Sequence, residues 1–307
     1  MAIALYNLIL YCHITHMKYT NKNKLPSAVV KALLHSDKAQ VVQGLRVTTL
    51  IDSPRISQLR RQHSKEMVED VSNMVYRVLG NSIHKLFEEA AEGVNDVVSE
   101  ERLSHEVNGT MISGAIDYQF EGDNLIDLKD YKSTSVFSVM MGPKVEWERQ
   151  LNVYAYLVRH SKGLKVGSAT VIAVLRDWRQ ADAERRGDYP KAPILEVPIN
   201  LWSEEDQDIY VEERVRLHKV AELEDGLVPL PECTDEEMWA ANEKWAVHTG
   251  PAKRATKLFD TEGEAKTFAS KSSKRRVVHR PPVKRRCEQN YCGVSQWCDQ
   301  YNDEVKK

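Results

Sequence analysis

The sequence predicts an α/β fold with a mixed central sheet flanked by helices, and three observations predict it. From Ser113 to Ser135, two runs with β-branched and aromatic residues flank Gly122-Asp123, the pattern of a β-hairpin. Ala169 to Leu175 is an unbroken apolar run of strand length, expected to be buried on both faces. Segments before and between them repeat apolar residues at helical spacing. Helix, hairpin, helix, strand is the order of a sheet with helices packed on it.

The 307 residues suffice for one large domain and a smaller appendage. With 43 basic and 45 acidic residues, net charge announces no nucleic-acid partner. No apolar run approaches the ~18 residues that span a bilayer, so a cytoplasmic protein without membrane contact is expected. The apolar start, MAIALYNLILYCHITH, lacks the basic beginning and small-residue cleavage site of a secretory signal, and either Met1 or Met17 can be the native start. Five cysteines without such a signal favour metal ligation over disulfides.

Residues 1–44 read as an N-terminal arm, polar and mobile from Lys18 onward. Residues 45–227 form the main domain. After Val47 comes a short strand or helix start broken at Pro54, then a basic face of Arg55, Arg60, Arg61 and His63, either solvated or touching DNA. A helix is expected from Glu66 to Ala91, its apolar stripe running through Val68, Val71, Val75, Leu79, Ile83, Leu86 and Ala90. His84 lies off that stripe, and Gly80, one turn earlier, leaves room beneath the imidazole. Glu101 to Val107 starts a strand leading through Gly109 into the hairpin. A helix from Val145 to Arg159 aligns Trp147, Gln150 and Tyr154 on one side, where they could contact a phosphate backbone or stack on a base. A strand from Ile194 to Trp202 and a helix from Glu204 to Leu223 complete the domain.

The hairpin carries the chemistry. A type II′ turn at Gly122-Asp123 sets residue 121 opposite 124 and residue 117 opposite 128, so Asp117 shares a face with Leu128, Asp130 and Lys132. Asp127 and Lys129 fall on the other face, and an odd-length loop would exchange the two sets. Paired carboxylates call for a cation, and oxygen ligands suit Mg²⁺ or Mn²⁺. An ammonium at Lys132 can orient a water or stabilise charge developing on a phosphate.

Four motifs occur in order: Gly80-Asn81-Ser82-Ile83-His84, Gly114-Ala115-Ile116-Asp117, Asp130-Tyr131-Lys132 and Gln150-Leu151-Asn152-Val153-Tyr154. Residues 45 to 180 thereby resemble the RecB-like nuclease domain of the PD-(D/E)xK superfamily, whose signature is GxxxH, GxxD, DxK, QxxxY. The resemblance implies a restriction-endonuclease-like core that hydrolyses phosphodiesters with Mg²⁺ or Mn²⁺. It makes Asp117, Asp130 and Lys132 the catalytic residues. The metal ligands become His84, Asp117, Asp130 and the backbone carbonyl of Tyr131, with Gln150 and Tyr154 contacting DNA.

Residues 228–307 form a C-terminal module containing Cys233, Cys287, Cys292 and Cys298, four thiolates sufficient for one site. Close C-x-x-C pairs, the stronger zinc signal, are absent. RecB-like nucleases of the AddB and CRISPR-associated types staple the C-terminal end to the core with a 4Fe-4S cluster, and this tail resembles that arrangement. It departs in that Ser53 stands where the family's first cysteine lies, so Cys233 would have to substitute, and Zn²⁺ remains an alternative. Cys12 is the spare thiol. Between Lys271 and Arg286, eight Lys or Arg residues occur without an acid, either a phosphate-binding run or a flexible solvated tail.

The expected activity is therefore a metal-dependent DNA nuclease, an exonuclease or a single-strand or end-processing enzyme in recombination, repair or viral DNA metabolism. Its substrate would be DNA with a single-stranded or free end. No GxxxxGK[ST] occurs, so ATP-driven unwinding would come from a helicase or recombination partner. The alternative is a non-catalytic nucleic-acid-binding protein or a structural subunit of a larger nuclease assembly.

Overall fold

The computed structural model describes residues 10–11, 17–35, 44–122, 125–223, 228–289 and 291–305, without the side chains of 10–11 and 303–305. Cys12 and the hairpin tip at 123–124 lie outside the described residues. The first elements are β1 (Leu10–Tyr11), β2 (Lys18–Thr20), α1 (Ser27–His35), β3 (Leu45–Arg46), α2 (Val47–Leu50), α3 (Pro54–Gln62), β4 (Val68–Asp70) and α4 (Val75–Ala91). The core continues with β5 (Val97–Val107), β6 (Thr110–Glu121), β7 (Leu125–Thr134), α5 (Val136–Met140), α6 (Val145–Lys162), β8 (Lys165–Leu175), α7 (Gln180–Arg185), β9 (Ile194–Pro198) and α8 (Glu204–Glu222). The C-terminal part holds β10 (Ala240–Ala241), β11 (Lys244–Thr249), β12 (Lys257–Phe259), α9 (Glu262–Ser270), β13 (Arg275–Arg280), β14 (Val283–Lys284), α10 (Arg285–Glu288) and α11 (Asp299–Val305).

A mixed six-stranded sheet forms the centre. β5, β6 and β7 are antiparallel neighbours, β7 pairs parallel with β8, and β8 antiparallel with β9. The β6–β7 ladder runs from Glu121↔Ile126 to Tyr118↔Lys129, while farther along β6 pairs with β3 at Ile112 and Ser113. The two hairpin strands thus part beyond Tyr118, and β7 goes on alone beside β8. The register is two residues away from expectation. Gly122 N–H donates to Leu125 O at 3.0 Å, so Gln119, not Asp117, faces Leu128. A shift of two preserves parity, so Asp117 still belongs to the face of Asp130 and Lys132.

Helix α6 crosses the inner face of the sheet. Acids at Glu146 and Glu148 and bases at Arg159, His160 and Lys162 suit the two ends of its dipole, and Gly163 closes it at φ 70. Leu151, Val153, Leu157 and Val158 are fully buried in it. Buried Asn152 is satisfied by donating to Asn200 O at 2.9 Å and accepting from Trp202 N–H at 2.8 Å, which ties α6 to the start of α8. On β8, Ala169, Val171, Ala173 and Leu175 are buried while Thr170, Ile172 and Val174 are half-buried, so this strand is covered fully on one face only.

Three expectations fail here for local reasons. Part of the supposed mobile arm is folded: β2 pairs parallel with β4, Tyr19 is fully buried, and Val30 and Leu33 of α1 pack with Val71 and Met74. The helix expected from Glu66 begins only at Val75. The Asp70 carboxylate accepts from Ser72 N–H at 3.1 Å, Ser72 Oγ at 2.6 Å and Thr20 Oγ1 at 2.9 Å, competing with helical bonding. Half of the basic face is internal architecture: Arg55 is 2 % exposed and donates to Leu230 O and Pro231 O, and His63 stacks on Trp297 at 4.4 Å, whereas Arg60 and Arg61 are exposed and pair with Asp52 and Glu222.

The basic run is likewise ordered. β12, β11 and β13 form a three-stranded antiparallel sheet with α9 against one face, and Arg275 to Arg280 is an edge strand of it. Among the described residues, no helix is long and apolar enough to cross a membrane.

Candidate metal centre and cysteine clasp

The parting of β6 and β7 creates the first site. Asp117 is the residue just past the last pair of their ladder, and its Oδ2 accepts the Tyr131 N–H at 2.7 Å in place of a strand partner. From α4, His84 brings Nδ1 to 3.3 Å from Asp117 Oδ1. Tyr131 anchors that helix, its ring 4.7 Å from Phe87 and 6.0 Å from His84.

A residue not singled out in the sequence joins them. Glu100 of β5 has φ 51, a left-handed conformation uncommon without glycine, and it drops out of a ladder in which Ser99↔Tyr118 and Glu101↔Ile116 both pair. Its Oε1 lies 3.9 Å from His84 Nδ1. His84, Glu100 and Asp117 each present a ligand atom within 4.8 Å of one another. The sequence signal was only a pair of acids, Glu100-Glu101, inside a strand.

Asp130 is 1 % exposed, and its two oxygens are treated differently. Oδ1 accepts from Gln150 Nε2 at 3.0 Å. Oδ2 is held by the Lys132 ammonium in an ion pair at 2.5 Å. Burial pushes the Asp130 carboxyl above its usual range, with nearby Asp117 adding to the rise and Lys132 opposing it. At His84, burial works against the charged ring, but the nearby carboxylates of Asp117 and Glu100 override it and hold the imidazole up to about 10. A concentration of carboxylates at low exposure is what a divalent cation would relieve.

Gln150 and Tyr154 lie beneath this site, not at its mouth. They are 8 % and 4 % exposed, and Gln150 Nε2 also donates to the Tyr154 hydroxyl at 3.0 Å. They support Asp130 from below, an arrangement that leaves neither ring nor amide facing a base. Gly114 is explained by the same contact, because a Cβ there would come 2.5 Å from Tyr154 Cε1 and 2.8 Å from Val47 Cγ2. Gly80, by contrast, has nothing within 4 Å of where its Cβ would be, so the expected close approach under His84 does not occur. Asp127 and Lys129 point elsewhere, to Ser168 at 2.7 Å and Glu196 at 2.9 Å.

The second site lies where α3 meets the C-terminal module. Cys233, Cys287, Cys292 and Cys298 are all buried, unpaired as disulfides, and line one pocket with Ile56, Leu59 and Met238. Burial pushes the Cys233 thiol up to about 12 and the Cys287 thiol to about 11. Ser53, fully buried, places Oγ 3.1 Å from Cys233 Sγ. Arginines fasten the surroundings: Arg55 to Asp299, Arg286 to Asp52 at 2.8 Å, and Arg214 to Glu237 at 3.1 Å and to Leu50 O at 3.0 Å. Among the described residues, no three of the four sulfurs lie within 4.8 Å of one another. A single tetrahedral zinc with Zn–S of about 2.3 Å would draw its sulfurs to about 3.8 Å.

No protein-family profile matches the chain. Curated proteins include no match either. Among solved structures the chain is similar to SSO0001, at 19 % identity and TM-score 0.43, over 62 % of this chain and 84 % of that one. It is also similar to a Eubacterium rectale protein assigned provisionally as an exonuclease, at 12 % identity and TM-score 0.31, over 58 % of this chain and 64 % of that protein.

Proposed function

We propose that the chain is a Mg²⁺- or Mn²⁺-dependent deoxyribonuclease with a PD-(D/E)xK core. The observation that carries this reading is the convergence of His84, Glu100 and Asp117 within 4.8 Å of one another, beside the buried Asp130–Lys132 ion pair. His84, Glu100, Asp117 and Asp130 would hold the cation, with the Tyr131 carbonyl as a further ligand. When bound, the cation would neutralise charge on the scissile phosphate and make a water acidic enough to be deprotonated near neutral pH.

The chain's own residues do the rest. Lys132, 2.5 Å from Asp130 Oδ2, orients the attacking water and stabilises the charge that grows on the phosphate. Gln150 fixes the rotation of the Asp130 carboxylate by holding Oδ1, which keeps Oδ2 turned toward Lys132. The Tyr131 N–H does the same for Asp117.

The four cysteines are proposed to hold a 4Fe-4S cluster that clasps the C-terminal module onto α3. The all-thiol donor set suits it, with Zn²⁺ as the alternative occupant. DNA with a single-stranded or free end is the proposed substrate, and a helicase or recombination partner would supply unwinding. The test is cleavage of end-labelled DNA with and without Mn²⁺ by protein purified anaerobically. Metal-independent cleavage, or none in any divalent cation, would overturn the reading.

A further inference from the structure

The three-stranded unit β11–β13 with α9 has no part in either site. It emerges between β10 and β14, which pair with each other as Ala240↔Lys284 and Ala241↔Val283. The unit is therefore an insertion within a hairpin, between the first and second clasp cysteines. From Ala240 to Arg286 there are 13 Lys or Arg residues against 4 Asp or Glu, in a chain whose formal net charge is −2. Among the described residues, Lys253, Arg254, Lys271, Lys274, Arg276 and Arg280 are exposed and in no ion pair.

The sheet has two unlike faces. Trp245, Phe259, Val277 and His279 share one, which α9 covers through Phe268, 5.3 Å from Phe259. The register puts Lys244, Ala246, Leu258, Arg276, Val278 and Arg280 on the other. Ala246 and His248 of the central strand are covered there, while Leu258 is 47 % and Val278 39 % exposed on the flanking strands, with cations around them. Arg276 and Arg280, four residues apart on one strand, are separated by about 13 Å at roughly 3.3 Å per residue. That separation compares with the ~12 Å width of a B-DNA major groove, so the two guanidiniums can reach phosphates on opposite sides of it. No Phe, Tyr or Trp lies on this face, which removes the stacking on which single-strand binding depends.

We infer that the open face of the β11–β13 sheet is a docking surface for double-stranded DNA, separate from the metal centre. The inference rests on the proposed nuclease reading for the class of partner, while charge and geometry assign the surface. It holds the duplex stem while a free end reaches the cleavage site.

The test measures fluorescence anisotropy of a labelled blunt duplex, and of its single strand, against a salt series in EDTA. Without divalent cation nothing is cut, so the outcome does not depend on the nuclease reading. In Arg276→Ala/Arg280→Ala, duplex affinity should fall about tenfold or more at moderate salt. The slope of log K against log salt should shrink by about 2, since each phosphate left unneutralised takes away about 0.9. A second variant replaces residues 242–282 with Asn-Gly, a turn that joins two paired strands directly. It should lose duplex binding and retain cleavage of short single strands. Unchanged duplex affinity and slope in the double arginine variant overturn the inference, whatever acidic partner the face then holds. Equal losses for duplex and single strand overturn the assignment to duplex.

Discussion

The candidate metal centre and the proposed cysteine clasp gather their side chains in opposite ways. At the metal centre, two neighbouring strands part and a third residue leaves its ladder, so carboxylates already held by the sheet are brought together without distant chain segments. Only His84, from α4, must be delivered from outside. At the clasp, segments far apart in the chain must meet: Gln300, just past Cys298, accepts from Cys233 N–H at 2.8 Å and donates to Cys233 O at 3.0 Å, and arginines reach in from α3 and α8. One site is thus a by-product of the core, and the other helps to make its own surroundings. Removing a ligand from the first should silence chemistry; removing one from the second should loosen structure.

The largest effect tests the first half of that contrast. Lys132→Ala and Asp130→Ala should each lower cleavage about a thousandfold or more, with unfolding midpoints close to those of the parent. Asp127→Ala and Lys129→Ala should cut normally. Inactivity of this second pair with activity in the first would reverse the assignment of faces on the hairpin.

At the clasp the order is inverted. Cys298→Ser should cost about 3 kcal/mol or more of stability and expose the C-terminal module to protease before cleavage is affected, because ligand binding there is coupled to folding. Iron and sulfide analysis should give four of each per chain, and stoichiometric zinc would keep the clasp but replace its occupant. Cys233→Ser should lose the metal, and adding Ser53→Cys should restore it, since the two side chains touch at 3.1 Å. A double variant that stays empty would show that the Ser53 position is not interchangeable with that of Cys233.

A smaller effect concerns the support beneath the metal centre. Gly114→Ala sets a methyl group against the Tyr154 ring and should cost about 1–3 kcal/mol, measurable by denaturant titration. An unchanged midpoint would mean that the ring has room to move. Smallest is Glu100→Gln, expected to weaken Mn²⁺ affinity about tenfold by calorimetry while leaving stability nearly intact. If Mn²⁺ binds the parent and this variant equally, Glu100 is no ligand.

The sequence makes some of this legible and hides the rest for physical reasons. Asp117, Asp130 and Lys132 could be placed on one face because side-chain direction in a strand depends only on parity. The two-residue error in the hairpin therefore did no harm. Glu100 stayed hidden because its entry depends on a left-handed backbone that no residue type announces. Gln150 and Tyr154 share a helix face, as their spacing predicts, but which way that face turns is set by α6 lying on the sheet. The β2 strand has three residues, too few for any alternation to show, and so its segment read as an arm.

The contact between Ser53 and Cys233 also bears on the order of synthesis. With the first thiol supplied from residue 233, all four clasp cysteines leave the ribosome after β3 to α8 have been made. The sheet and its carboxylates can then assemble before any of the four thiols is available, so folding of the core need not wait for the clasp, whatever it holds.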